Sequence, residues 1–325
     1  MEYRRFGRTE LQIPVVTFGG GWVGGVLIHQ DEETAFTALD LAANAGIDWI
    51  DTAALYGNGT SEVVIGRWLS GRSGSGHPRL STKFRVDPSE PDLQGQMRRS
   101  IEASLNRLGL ERVELVILHN TIGAAAQFGS STLDVVTALQ MADAMESLKD
   151  DGLCNHLGMT ALGDPTDLHQ TVATGRFDVA QVYYNMLNPT SAAGRKPWNS
   201  TNFDGLLTAC TRQDMGVMGI RIFAGGHLAS AERHGREIPI TLDAENAAEE
   251  RRAAAIWQVL AEGDGTPAQA ALRFGLASAD LSTVVVGLGE LDHLQQVVDG
   301  EAMGPLPANR LAAISPVWDR PEFTG

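Results

Sequence analysis

Four residues of this chain, Asp51, Tyr56, Lys83 and His119, have the side chains needed to manage charge on a carbonyl oxygen. A carbonyl that accepts hydride develops negative charge on oxygen, so a proton donor must stand within hydrogen-bond reach. A tyrosine hydroxyl can donate, but a reference pKa of about 10 is high for cycling near neutrality. An ammonium close to a phenol favours the phenolate, which gives Lys83 a task. A carboxylate such as Asp51 would keep that ammonium charged in a partly desolvated place. His119 can then hydrogen-bond the substrate oxygen and orient it. Taken singly, each has a plainer explanation: a turn aspartate, a packing tyrosine, a solvated rim lysine, a structural histidine. Their joint occurrence at successive strand ends is what carries the reading.

Those ends belong to a repeating alternation of short β-branched runs and longer helical patterns, which implies βαβ units and a parallel sheet. Eight strands are expected: Val15–Gly20, Ile47–Asp51, Arg79–Lys83, Leu115–His119, Cys154–Thr160, Val179–Tyr183, Gly216–Ile222 and Thr283–Gly287. Runs such as "ELVILH" and "STVVVG" have the near-continuous apolar character of strands buried on both faces. Between them, Gln96–Leu108 reads as a helix with Met97, Ile101, Leu105 and Leu108 on one face and Gly109 as its C-cap. Ser131–Gly152 reads as another, with Ser131 as N-cap and Leu133, Val136, Leu139, Ala142, Met145 and Leu148 along a broad apolar face. A last helical pattern is Asp292–Val298. Eight strand–helix repeats predict an α/β fold of the closed (β/α)8 TIM-barrel type, one domain spanning 1–325. Tyr3–Ile13, turning at Gly7-Arg8-Thr9, is expected to be a β-hairpin capping the barrel bottom. The rival is an open dinucleotide-binding sheet. Gly19, Gly21 and Gly24 spell GxGxxG, but the next helical pattern begins only near Asp31, so no helix is expected to open there.

Bulk properties narrow the class. The 325 residues carry a formal net charge of −15 and are 43% hydrophobic. An acidic surface repels phosphate backbones and anionic lipids, so no nucleic acid or membrane partner is expected. Cys154 and Cys210 form no metal-binding or CxxC spacing, there is no apolar leader at Met1–Phe6, and no run is long enough to span a bilayer. A cytoplasmic location is expected. The irregular stretches Gly71–Pro78, Gly123–Ser130, Met186–Thr201 and His227–Thr241 are candidate specificity loops, and Trp22 and Trp198 are candidate pocket walls.

"GIDWIDTAALYGNGTSEVVIG" (Gly46–Gly66), "LSTKF" (Leu80–Phe84) and "ERVELVILHN" (Glu111–Asn120) together resemble the aldo-keto reductase family. The resemblance runs from Tyr3 to at least Val298. It implies an oxidoreductase moving hydride between NAD(P) and a carbonyl or alcohol, the substrate being an aldehyde, a ketone or a sugar. Tyr56 would be general acid/base, Lys83 and Asp51 its tuning pair, and His119 the orienting group. It also implies a nicotinamide dinucleotide groove. "FDVAQVYYNMLNP" (Phe177–Pro189) resembles the strand whose glutamine, here Gln181, meets the nicotinamide carboxamide. "GVMGIRIFAGGHL" (Gly216–Leu228) resembles the loop over the pyrophosphate, with Arg221, Phe223 and Ala224. The segment Thr266–Val298 resembles the adenosine-binding end, with Gly287, Gly289, His293 and Gln296. Gly21, Trp22, Asp51 and Thr160 complete the expected cofactor contacts.

The chain departs from the family pattern in places. Thr160-Ala161 stands where a Ser-Asn pair often holds the carboxamide, and Ile220-Arg221 where an aromatic residue often stacks on nicotinamide. Gly287–His293 contains neither lysine nor arginine to pair with a 2′-phosphate, whereas Glu290 and Asp292 would repel one. The cofactor is therefore expected to be NADP(H) or NAD(H), with a weakened preference for NADP(H) that opens the site to NAD(H). The alternative function is a cofactor-binding, non-catalytic regulatory barrel similar to potassium-channel β subunits.

Overall fold

The glycine- and turn-punctuated apolar runs form eight parallel strands that close on themselves. The computed structural model of the chain describes residues 1–72, 76–192, 194, 197–233, 235–237 and 245–325. Tyr3–Arg5 (β1) and Gln12–Pro14 (β2) are an antiparallel pair joined through a turn at Gly7–Thr9. The barrel strands are β3 (Val16–Gly19), β4 (Trp49–Asp51), β5 (Arg79–Phe84), β6 (Val113–Leu118), β7 (Cys154–Ala161), β8 (Val179–Tyr183), β9 (Gly216–Ile220) and β10 (Thr283–Gly287). They pair in chain order, and β10 returns to β3. The expected TIM barrel with an N-terminal hairpin is the observed fold.

Residue parity along the strands sorts the core into two parts, because successive side chains point to opposite faces. In β6, Val116 and Leu118 join the large cluster between sheet and helices, whereas Leu115 and Ile117 point inward. There they meet Trp49, Val179 and Met218, together with Phe6 and Ile13 of the hairpin. Phe6 packs edge-on against Trp49, with ring centroids 5.3 Å apart. The hairpin thus plugs one end of the barrel with apolar side chains. Toward the other end the same inward parity presents polar groups, and that is where the site forms.

Helix ends follow the capping chemistry of the sequence. Asp31 accepts from Thr34 N to start Glu32–Asn44, and Thr266 and Gln269 form a capping box on Pro267–Leu276. Gly109, at φ 67°, ends Leu93–Leu108. That helix buries Met97, Ile101, Leu105 and Leu108 as expected but begins three residues before Gln96, capped by Asp92.

Other expectations need correction. The helix expected from Ser131 is Val135–Asp150, capped by Asp134, because Leu133 is drawn into bridge pairing with Ile122. Its buried face is Ala138, Met141, Ala142, Met145 and Leu148, while Val136 is 64% exposed. Steps of three residues fall short of a helical turn, so nine residues carry Val136 to the side opposite Met145. A helical turn does open after the first barrel strand, at Val26–His29, following Gly25 at φ 76°. It is four residues long and feeds a closed barrel, so GxGxxG is here a coincidence of letters. Gly123–Ser130 carries a short helical turn, Ala125–Phe128. The stretches Gly71–Pro78, Met186–Thr201 and His227–Thr241 lie partly outside the described residues. Among the described residues, no helix is long and apolar enough to cross a membrane.

Candidate active site

Inward parity places Ser81 and Lys83 of β5, Asp51 of β4, Gln181 of β8 and Thr160 of β7 at the polar end of the barrel. Lys83 is fully buried, and its ammonium donates to Asp51 Oδ2 at 2.6 Å, the Thr52 carbonyl at 2.8 Å and the Tyr56 hydroxyl at 3.1 Å. Asp51 is itself gripped by Ser81 Oγ at 2.7 Å and Gln181 Nε2 at 2.8 Å, both on Oδ1. Burial is the largest influence on Lys83 and opposes its charge. The attraction of Asp51, then of Tyr56, with their hydrogen bonds, outweighs it and holds the ammonium above the ordinary lysine value. His119 follows β6, with its ring edge-on to Tyr56 at 5.9 Å. Burial first, then the cations Lys83 and Arg85, push its pKa well below that of a free histidine. It is a neutral imidazole at neutral pH. The four residues expected to act together are therefore in one cluster.

Tyr56 lies between β4 and the helix Thr60–Ser70, and buried polar bonds hold that segment. Ser61 Oγ meets Thr52 Oγ1 at 2.8 Å, and the fully buried Glu62 accepts from Thr82 Oγ1 at 2.5 Å and from Arg107 Nε at 2.7 Å. Glu62 thus ties the Tyr56 segment to β5 and to the helix Leu93–Leu108. A Cβ on Gly66 would stand 2.2 Å from the Arg107 carbonyl, so these two helices touch backbone to backbone. The Ser-Glu pair of the sequence motif is accounted for by this scaffolding.

A cleft of about 750 Å³ opens from the cluster across the barrel mouth. Tyr56, His119, Thr160 and Gln181 line one end, and Gly287, Gly289, His293 and Gln296 the other. Gly21, Trp22, Asp51, Arg221 and Phe223 also face it. Ala224 is buried and does not; Gly225 and Gly226 form the wall there. Arg221 and Ala224 both adopt left-handed backbone, at φ 59° and 48°, and Asn185 Nδ2 holds the Arg221 carbonyl at 2.9 Å. Trp198 packs against Phe323 rather than lining the cleft.

The residues suit a nicotinamide dinucleotide. Thr160 Oγ1 and His119 Nδ1 are buried without a hydrogen-bond partner among the described residues, although both side chains belong to cleft-lining residues. A Cβ added at Gly287 would meet nothing nearer than 3.6 Å, so the backbone there is open to a phosphate-sized group, and Gly24 lets the loops after β3 and β10 touch.

Sequence reasoning missed the arginines of the loop after β9. Arg233 and Arg236 line the same cleft as Glu290 and His293. Arg236 Nε donates across it to the Val23 carbonyl at 3.2 Å, while Arg233 lies 3.3 Å from Glu250 and His227 meets Asn246 at 3.3 Å. The described residues of this loop are thus tied to the helix Asn246–Trp257 on one side and to the loop after β3 on the other. The expectation that basic groups are missing near the distal end holds only for Gly287–His293; of its two acids, Glu290 lines the cleft and Asp292 does not. Spacing could not reveal this, because the arginines reach the groove from a different strand's loop.

The chain belongs to the aldo/keto reductase family, whose family model matches residues 15–319. L-galactose dehydrogenase of Arabidopsis thaliana is 26% identical over 92% of this chain and 87% of its own. D-threo-aldose 1-dehydrogenase of a Pseudomonas species is 27% identical over 94% of both chains. The solved structure of an aldo-keto reductase from Bacillus halodurans in its holo form superposes with a TM-score of 0.73 at 20% identity, covering 98% of this chain and 96% of that one, and shows the shared fold. The chain is thus a member of an oxidoreductase family with nicotinamide cofactors and small carbonyl or sugar substrates.

Proposed function

We propose that the chain, as one barrel domain over 1–325, interconverts a carbonyl and an alcohol with NAD(H) or NADP(H), Tyr56 being the general acid/base. The observation that carries this reading is the Tyr56 hydroxyl 3.1 Å from a buried ammonium that is itself fixed by Asp51. When bound, the nicotinamide supplies or accepts the hydride. Thr160 and Gln181 would hold its carboxamide, and the glycines after β3 and β10 would admit the phosphates. As carbonyl oxygen gains charge, Tyr56 gives it a proton, and the negative charge left on the phenol is met by Lys83. Neutral His119 donates a hydrogen bond to the same oxygen and sets its direction. In the reverse direction the same atoms remove the hydroxyl proton.

The names of the two dehydrogenase relatives support a sugar as substrate, and that of the aldose 1-dehydrogenase supports oxidation at its carbon 1. Glu290 opposes a 2′-phosphate, while Arg233 and Arg236 attract one, so both cofactors are proposed to bind. The test is absorbance at 340 nm with each cofactor, offered aldoses for oxidation and aldehydes for reduction. Wild type is expected to turn over, and Tyr56→Phe to lose about 10²–10⁴-fold. A Tyr56→Phe variant as active as wild type refutes the assignment of Tyr56. A wild type that binds cofactor but turns over nothing favours the regulatory-barrel alternative.

A further inference from the structure

Arg85 continues the inward parity of β5. Ser81 and Lys83 already reach Asp51 and Tyr56, and Arg85 stands about 6–7 Å further toward the mouth by the rise of a strand. Its guanidinium crosses to the end of β6 and donates to the His119 carbonyl from Nε and Nη2 at 3.4 and 3.3 Å. The His119 amide in turn donates to the Phe84 carbonyl at 2.8 Å, so the two strand ends are held together. Two long contacts to one carbonyl leave most of the five guanidinium donors available. Arg85 is exposed as a residue, yet burial of its guanidinium lowers its pKa, which the Tyr56 phenol partly offsets; it also repels protons from the His119 ring.

The carboxylates tell the same story. The chain has 40 acidic residues against 25 basic ones. Arg5, Arg67, Arg98, Arg107 and Arg310 each sit within 3.0 Å of a carboxylate oxygen. Among the described residues, Arg85 has no ion-pair partner. Lys83 is neutralised by Asp51, so a second cation beside Tyr56 and His119 leaves this rim positive within an acidic protein. A planar fork of that kind matches carboxylate or phosphate; Arg85 does not itself line the cleft but stands at its His119 end, where it would meet a group reaching past His119 to the rim.

We propose that Arg85 reads an anionic group on the substrate, which is a carbonyl or alcohol compound carrying a carboxylate or phosphate a few carbons from the reacting carbon. This rests on the oxidoreductase reading above. The experiment compares kcat/KM for matched pairs: succinic semialdehyde against butanal, and glyceraldehyde 3-phosphate against glyceraldehyde. Wild type is expected to favour the anionic member of at least one pair by tenfold or more, and the pair that shows it identifies carboxylate or phosphate. In Arg85→Gln the ratio is expected to fall to within twofold of unity, with Arg85→Lys between, and the wild-type preference to shrink between about 0.05 and 0.5 M salt. A ratio is read because a loss of folding, or of proton transfer at Tyr56, lowers both members alike. Neutral aldehydes turned over without anionic preference, or a preference that survives Arg85→Gln, overturn the inference and leave the oxidoreductase reading standing. Turnover of none of the four aldehydes with either cofactor overturns the inference, and the oxidoreductase reading falls with it if aldoses are not oxidised either.

Discussion

The Asp51–Lys83 pair offers a quantitative test of how the site is built. Both side chains are buried, and the ammonium–carboxylate distance is 2.6 Å. Removing one partner of a buried ion pair costs about 3–5 kcal/mol, because the other charge stays desolvated and unmatched. In Asp51→Asn the lysine keeps the Thr52 carbonyl and the Tyr56 hydroxyl, so a loss near the lower limit, about 3 kcal/mol, is expected. In Lys83→Met the carboxylate keeps the Ser81 and Gln181 donors, and a similar loss of about 3 kcal/mol follows. The double variant carries neither charge. Its loss should be near that of one single substitution, giving a coupling of about 2–3 kcal/mol. Urea unfolding followed by tryptophan fluorescence measures this; Trp49, which donates to Ser81 Oγ at 3.3 Å, reports from beside the pair. All three variants should lose turnover. Losses that add to within about 0.5 kcal/mol would show that the two charges do not stabilise one another, and the argument for a locked ammonium would be refuted.

Two further perturbations probe neighbouring parts. His119 has a pKa pushed down by burial, so in acid the unfolded chain takes up a proton that the folded chain refuses, and stability falls as pH drops below the unfolded value near 6.5. The His119 contribution is about 1.4 kcal/mol per pH unit below that point and should vanish in His119→Gln; equal pH slopes for the two proteins would contradict it. His156 and His227, also lowered by burial, act with the same sign in both proteins and cancel in the comparison. At Gly24, an added Cβ would stand 2.4 Å from the Leu288 nitrogen and 2.6 Å from the Gly287 carbonyl carbon, so the loops after β3 and β10 must part. Gly24→Ala should cost about 1–3 kcal/mol and weaken nucleotide binding about tenfold, measured by thermal melting and fluorescence titration; an unchanged Kd would show that this contact does not shape the groove.

Sequence reasoning reached furthest where a local rule and the tertiary structure agree. The bounds of β8 and β10 coincide with the runs read from Val179–Tyr183 and Thr283–Gly287, because strands covered on both faces are nearly continuous apolar runs, Gln181 being the polar exception in β8. Asp51, Lys83 and His119 could be singled out because each ends such a run. What stayed hidden was decided by partners distant in sequence. Leu133 could have been helical but pairs with Ile122, and Ser131 lost its capping role with it. Glu62 was read only as part of a motif, since its partners Thr82 and Arg107 lie on other elements. Arg85 is two residues beyond the expected strand end at Lys83, and only the continued alternation of β5 gives its place.

Charge ties these observations together. A chain of net charge −15 should repel both a dinucleotide and an anionic substrate at long range. At the groove the balance is different: with the Asp51 charge matched by Lys83 and Arg233 paired with Glu250, Arg221 and Arg236 offset Glu232 and Glu290. Arg85 adds a further cation at the rim. Screening at 0.15 M salt confines each field to about 8 Å, so a ligand within the groove senses these arginines far more than the acidic exterior. The acidic surface therefore bears on solubility, and the few basic side chains brought together by the loops after β5 and β9 bear on binding. Substitutions that add acidic surface elsewhere should leave KM almost unchanged, whereas losing one groove arginine should raise it.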